Sequence, residues 1–204
     1  MSKLRLLSER GGAAGAEFAL LVPLLILLLF GIIDVGRWMY LYNRADKATQ
    51  MGVRMAAVTY PVAGGSNLAT GVNSSYLGVG GLTQGDSIPA SAFGKITCTN
   101  TACTCTTSPC PTLGTFSNAD FLTVYNRVHA FLPEAQQSNV TIEYSSSGIG
   151  YAGNPNGPDL APLITVRLSG LQFRPMIALA VPTMNMPDFH ASLTFEDGTG
   201  AQSN

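Results

Sequence analysis

Residues 13–33, AAGAEFALLVPLLILLLFGII, decide the fold. They make an almost unbroken apolar run of about the 20 residues that a helix needs to cross the hydrocarbon core of a bilayer. The preceding residues 1–12, MSKLRLLSERGG, hold Lys3, Arg5 and Arg10 against one acid, Glu9. Positive charge ahead of a span keeps that side cytoplasmic, so the chain beyond Ile33 is expected on the far side. A cleaved secretory signal is the rival reading. Its apolar core is about 7–15 residues long and ends at a small-x-small site. Here the run is longer and is followed by Asp34, Val35, Gly36, Arg37 and Trp38. We therefore expect a retained anchor: a single-pass membrane protein whose partners include the lipid bilayer.

The helical pattern continues past the apolar run. Val35, Trp38, Tyr42, Ala45, Thr49, Gly52, Val53, Ala56 and Tyr60 recur at three- and four-residue steps, while Arg37, Arg44, Lys47 and Arg54 gather on another side. Pro61, Gly64 and Gly65 end it. One helix is thus predicted from about residue 14 to residue 60, about 70 Å long at about 1.5 Å per residue. Pro23 is a candidate kink. Arg37 and Trp38, with Tyr40 and Tyr42, fall where headgroup-level cations and an aromatic belt are expected. Trp38 and Tyr42 serve equally well as domain core.

Glu17 stands out, a lone carboxylate inside the run. In hydrocarbon it costs several kcal/mol unless it is paired or sits at the interface. One reading leaves it solvated at the cytoplasmic headgroups; the other gives it a cationic partner in an assembly.

Several local patterns occur together here. They are a basic leader ending in Gly12, Glu17–Phe18 opening the apolar helix, and Pro23 within it. Residues 31–37, GIIDVGR, and residues 52–57, GVRMAA, complete the set. Over roughly residues 10–60 this stretch resembles the TadE-like family, pseudopilins of the Flp/Tad (type IVb) pilus system. The resemblance implies cleavage by a prepilin peptidase between Gly12 and Ala13. It also implies assembly with other pilin or pseudopilin subunits and an inner-membrane assembly platform. Cleavage makes Ala13 the new N-terminus and Glu17 the fifth residue. A freed α-amino group is a cation at neutral pH. Beside a neighbouring subunit's Glu17 it neutralises that carboxylate, and Glu17 then sets helix register, with Phe18 next to it.

The remaining sequence reads as one domain of modest size. We divide the chain into a leader, 1–12; a transmembrane helix, 13–33; a helical spine, 34–60; an extracytoplasmic domain, 61–196; and a mobile tail, 197–204. Residues 118–131, NADFLTVYNRVHAF, form a short amphipathic helix with Phe121, Val124, Tyr125, Val128 and Phe131 inward and Ser117 or Asn118 as its cap. Residues 140–144, 163–173 and 189–196 alternate as strands. The predicted class is α+β: a long N-terminal helix continuing into a domain with a short helix and a small antiparallel sheet, as in pilins.

Four cysteines, Cys98, Cys103, Cys105 and Cys110, cluster in the loop 98–110. An even, clustered set outside the cytosol favours disulfides. The spacing leaves the pairing open and disfavours only Cys103–Cys105. A Cys₄ zinc site is the competing reading, but zinc sites ordinarily carry CxxC knuckles.

The net charge of −1 gives no field to recruit nucleic acid. P-loop, HExxH and GxSxG motifs are missing, no GxGxxG dinucleotide site is expected, and His129 and His190 lie far apart. We expect no catalytic residues, no cofactor and no metal, although the turn NPNGPD at residues 154–159 offers oxygen ligands of the kind calcium takes. The expected function is non-catalytic participation in pilus biogenesis. The alternative is a membrane-anchored binding or adhesion module in which the cysteine-rich loop meets a ligand.

Overall fold

The computed structural model describes residues 10–66, 71–110, 113–155, 157–176 and 182–196, with only the backbone for residues 10–14. Most of the expected leader and the whole expected tail lie outside the described residues. Helix α1 runs Arg10–Val58 and passes through Pro23. The chain forms two compact units, Met1–Leu41 with Gln172–Met184, and Tyr42–Leu171 with Asn185–Asn204.

In the first unit α1 is a bare apolar rod. Its most hydrophobic window is only 6% buried, which is unlike the core helix of a soluble protein. Leu20, Leu24, Leu28 and Ile32 are each more than half exposed. A helix this long and this apolar meets the requirement for crossing a membrane.

In the second unit α1 changes character. Ala45, Ala48, Thr49, Gly52, Val53, Ala56 and Ala57 are buried along one stripe. Nearly all are small, so neighbouring elements pack close to the helix backbone. Gly52 shows how close: a Cβ there would stand 2.6 Å from Val128 Cγ2 and 3.3 Å from Val166 Cγ1. The sequence reading put Val35 and Tyr60 in the same repeat and left Tyr42 between core and aromatic belt; all three are exposed. The small-residue stripe that buries begins at Ala45; before it Trp38 is half-buried and Tyr42 meets the Phe189 ring at 4.8 Å.

The sheet has five antiparallel strands in the order β2-β1-β3-β4-β7: β1 Lys95–Cys98, β2 Cys103–Thr107, β3 Val140–Ser145, β4 Leu163–Leu168 and β7 Phe189–Thr194. Register places Cys98, Ile142, Val166 and Ala191 in one row and Ile96, Tyr144, Ile164 and Leu193 in another. Most of these side chains are buried, whereas the opposite face carries Thr97, Glu143, Thr165 and Ser192. Such alternation follows from the two-residue repeat of a strand with one solvated face. On the polar face Glu143 lies between Lys95 at 3.0 Å and Arg167 at 3.5 Å.

Helix α2 spans Asn118–Phe131 and buries Phe121, Val124 and Val128. Ser117 is its N-cap, accepting from the Asp120 N–H, while its hydroxyl donates to the Asp120 carboxylate at 2.5 Å. Tyr125 and Phe131 are only half-buried.

The strand expected over residues 163–173 is two strands. β4 ends at Leu168 because Gly170 takes φ +70° and turns the chain. The turn is held where the Ser169 N–H donates to the Asn139 carbonyl and the Asn139 amide donates to the Ser169 carbonyl. A two-residue strand β5, Gln172–Phe173, then pairs with β6, Met184–Asn185.

Candidate functional site

The expected assembly residues lie on the exposed rod. Glu17 is exposed, and Phe18 is 67% exposed. No other residue from 13 to 33 carries charge. The expected cleavage pair, Gly12 and Ala13, is described in backbone only, inside α1.

At the end of the apolar run the first unit has a built site. Asp34 is only 7% exposed although it sits on an otherwise exposed helix. Its carboxylate accepts the Met176 backbone N–H on both oxygens, at 2.9 and 2.8 Å. Arg37, one turn on, donates to Asp34 Oδ1 at 3.0 Å. The Arg37 guanidinium also lies 5.4 Å from the centre of the Phe173 ring. Trp38 meets that ring edge-on, with centroids 5.3 Å apart. The motif GIIDVGR thus has a physical meaning. Its acid and its arginine bind the segment that begins at Gln172 to the face of α1.

Further along, in the second unit, Arg44 caps α2. It donates to the Phe131 carbonyl at 3.0 Å and to Glu134 at 3.2 Å. A cation on the last carbonyls of a helix complements its dipole. Part of the basic stripe of α1 is therefore structural rather than solvated.

The cysteines pair Cys98–Cys103 and Cys105–Cys110. The loop that holds them is mostly the hairpin β1–β2, in which Cys98 faces Cys103 across the strands. Cys98 is fully buried, whereas Cys105 points to solvent. Both pairs join residues five apart, so they staple a local turn rather than distant parts of the chain.

The NPNGPD turn is organised around an anion. The Asp159 carboxylate accepts from the N–H groups of Tyr76, Gly153 and Asn154, at 2.6, 2.7 and 2.7 Å, and from the Ser75 hydroxyl at 2.9 Å. Burial alone raises its pKa, but these donors outweigh burial and hold it below the usual carboxylate value. Both oxygens of this carboxylate are already taken by N–H and O–H donors, so the turn chemistry accounts for this loop. Just before it, and against the expectation of no GxGxxG, residues 148–153, GIGYAG, do have the spacing of a dinucleotide fingerprint. That motif needs a following helix to receive phosphate. Here Gly150 and Tyr151 bridge instead to Leu160 and Ser87.

His129 Nδ1 lies 3.2 Å from the Tyr125 hydroxyl, whereas His190 is exposed on β7 opposite Arg167. Among the described residues no three His, Cys, Asp or Glu side chains gather as metal ligands.

Fold and site together define a class: an α+β domain carried on a long apolar helix of membrane-crossing length. Residues 12–54 match the family model described as TadE-like protein, which points to a part in Flp/Tad pilus systems. The matched stretch takes in Glu17, Asp34, Arg37 and Gly52. No curated protein and no solved structure matches the chain.

Proposed function

We propose that the chain is a non-catalytic minor pseudopilin of Flp/Tad pilus biogenesis. Residues 13–33 span the inner membrane with the N-terminus cytoplasmic. Residues 34–60 continue as the spine, and residues 61–196 lie on the periplasmic or extracellular side. A prepilin peptidase removes residues 1–12 and frees the Ala13 amine. That amine pairs with Glu17 of a neighbouring pilin or pseudopilin subunit, and Phe18 packs beside the pair. The assembly platform of the inner membrane receives the subunit through this helix.

One observation carries the reading. The TadE-like match covers the very helix on which Glu17 is a lone exposed carboxylate among exposed apolar side chains. Such a charge is costly in lipid and is stabilised by an opposite charge from a neighbour. The test is Glu17→Ala in cells that otherwise lack the chain. Insertion and leader removal are expected to persist while pilus formation is lost. Normal piliation contradicts the charge-pairing role.

A further inference from the structure

The two disulfides of the β1–β2 hairpin stand in opposite surroundings. Cys98 is fully buried, and its row on the sheet continues through Ile142 and Val166. Cys105 is exposed and Cys110 is half-buried. Strand β2 buries none of its residues, so the Cys105–Cys110 bridge staples a strand that the core does not hold.

Thiol–disulfide exchange treats two such bridges differently. A thiolate must reach one sulfur, and the other sulfur must leave as a thiolate. At Cys98–Cys103 the buried sulfur of Cys98 is closed to attack. Attack on Cys103 instead expels a thiolate at Cys98, a charge placed beside apolar side chains and away from water. At Cys105–Cys110 neither obstacle exists. Cys105 is open to a thiol from solvent, and the departing Cys110 sulfur is partly solvated. That sulfur also lies 3.3 Å from the Thr107 carbonyl oxygen and 3.5 Å from the Lys95 carbonyl oxygen. Once protonated, it donates to them where it stands. The segment after β2 keeps a second tether, since the Gly94 N–H donates to the Pro109 carbonyl at 2.6 Å.

We propose that Cys105 is a thiol-exchange site for low-molecular-weight thiols. The thiolate of glutathione attacks Cys105 Sγ. A new S–S bond forms as the Cys105–Cys110 bond breaks, and Cys110 leaves with the bonding pair and takes a proton from water. A second glutathione thiolate attacks the glutathione sulfur of the adduct. Cys105 then leaves as a thiolate and is protonated in turn. Two glutathiones are oxidised to one disulfide, and the protein bridge is reduced to two thiols. Cys98–Cys103 stays closed and the sheet stays folded. The hairpin thus carries one structural bridge and one exchangeable bridge. The site stands independently of the membrane anchor and of assembly.

The full chain in detergent is mixed with glutathione, samples are quenched over time with iodoacetamide, and each cysteine is read by peptide mass. The glutathione adduct is expected on Cys105 and the first alkyl label on Cys110. The Cys105–Cys110 bridge should open at least about tenfold faster than Cys98–Cys103. Hydrogen exchange in β3 and β4 should stay slow while that bridge is open. Cys105→Ser with Cys110→Ser is expected to take up no adduct over the same period. First attack at any other sulfur, or opening of both bridges together, overturns the proposal. So do two bridges that stay closed at glutathione levels that reduce the chain in denaturant, and so does loss of protection in β3 and β4 when only Cys105–Cys110 is open.

Discussion

The Asp34 carboxylate takes the Met176 backbone N–H on both of its oxygens, across 142 residues of sequence. A hydrogen bond to a charged group contributes about 1.5–3 kcal/mol. Within the first unit this one holds the segment after Gln172 to α1, together with the contacts of Arg37 and Trp38 to Phe173.

Asp34→Ala is therefore expected to release that segment locally without unfolding the sheet. Hydrogen exchange at the Met176 amide is the measurement. It should speed up about ten- to hundredfold, while the amides of β3 and β4 keep their protection. Asp34→Asn keeps one acceptor and should show a smaller effect. Unchanged exchange at Met176 in the alanine variant contradicts the role given to the carboxylate.

Gly52 sets the distance between α1, α2 and β4. Gly52→Val adds two methyl groups where a single Cβ already meets the stiff side chain of Val128. Overpacking of this kind costs about 1–3 kcal/mol. Thermal unfolding of the full chain in detergent should show the loss, and Val128→Ala on the same background should recover part of it. Two losses that simply add would mean that the two sites do not touch.

The Asp159 loop should open in acid. Its folded-state pKa lies below the ordinary value of 3.8. The ionised carboxylate therefore stabilises the fold above that value, and the contribution is lost as pH falls through the folded-state pKa beneath it. The amide resonances of Tyr76, Gly153 and Asn154 are expected to shift together with one midpoint below 3.8. Asp159→Asn should abolish that shared transition. A midpoint above 3.8 contradicts the donor cage.

The two disulfides close short loops, so each contributes only about 2 kcal/mol through chain entropy. Replacing Cys105 and Cys110 together by serine should lower stability by about that amount. Replacing Cys98 and Cys103 should cost more, because a serine at Cys98 buries a hydroxyl in the core. Denaturant unfolding of the two double variants compares them, and equal losses contradict the unequal burial.

How far the sequence foretold this molecule varied with the kind of interaction involved. Helix α2 was legible to its ends, because a capping residue at Ser117 or Asn118 and an apolar repeat mark a helix locally. Strands β3 and β7 announced themselves through alternation. The hairpin β1–β2 did not, since KITC and CTCTT offer little apolar contrast and four residues in it are exposed. Its cysteine pairing needed the register. The break after Leu168 followed from a positive φ at Gly170, which an alternating pattern does not reveal. The attachment of residues 172–176 to Asp34 was least legible of all. It depends on one carboxylate meeting a backbone N–H far along the chain, and periodicity carries no trace of such a contact. The reverse held for the small stripe from Ala45 to Ala57: its spacing was visible, but its close approach to Val128 and Val166 became clear only in three dimensions.

The reading of the chain as a processed, assembling subunit stands on what becomes of its first twelve residues. The intact mass of the protein purified from its own membranes decides this. A chain that begins at Ala13, with the helix intact behind it, is the predicted result. A membrane-bound chain that still carries MSKLRLLSERGG in cells that build normal pili contradicts it, because no freed amine would then exist to meet Glu17.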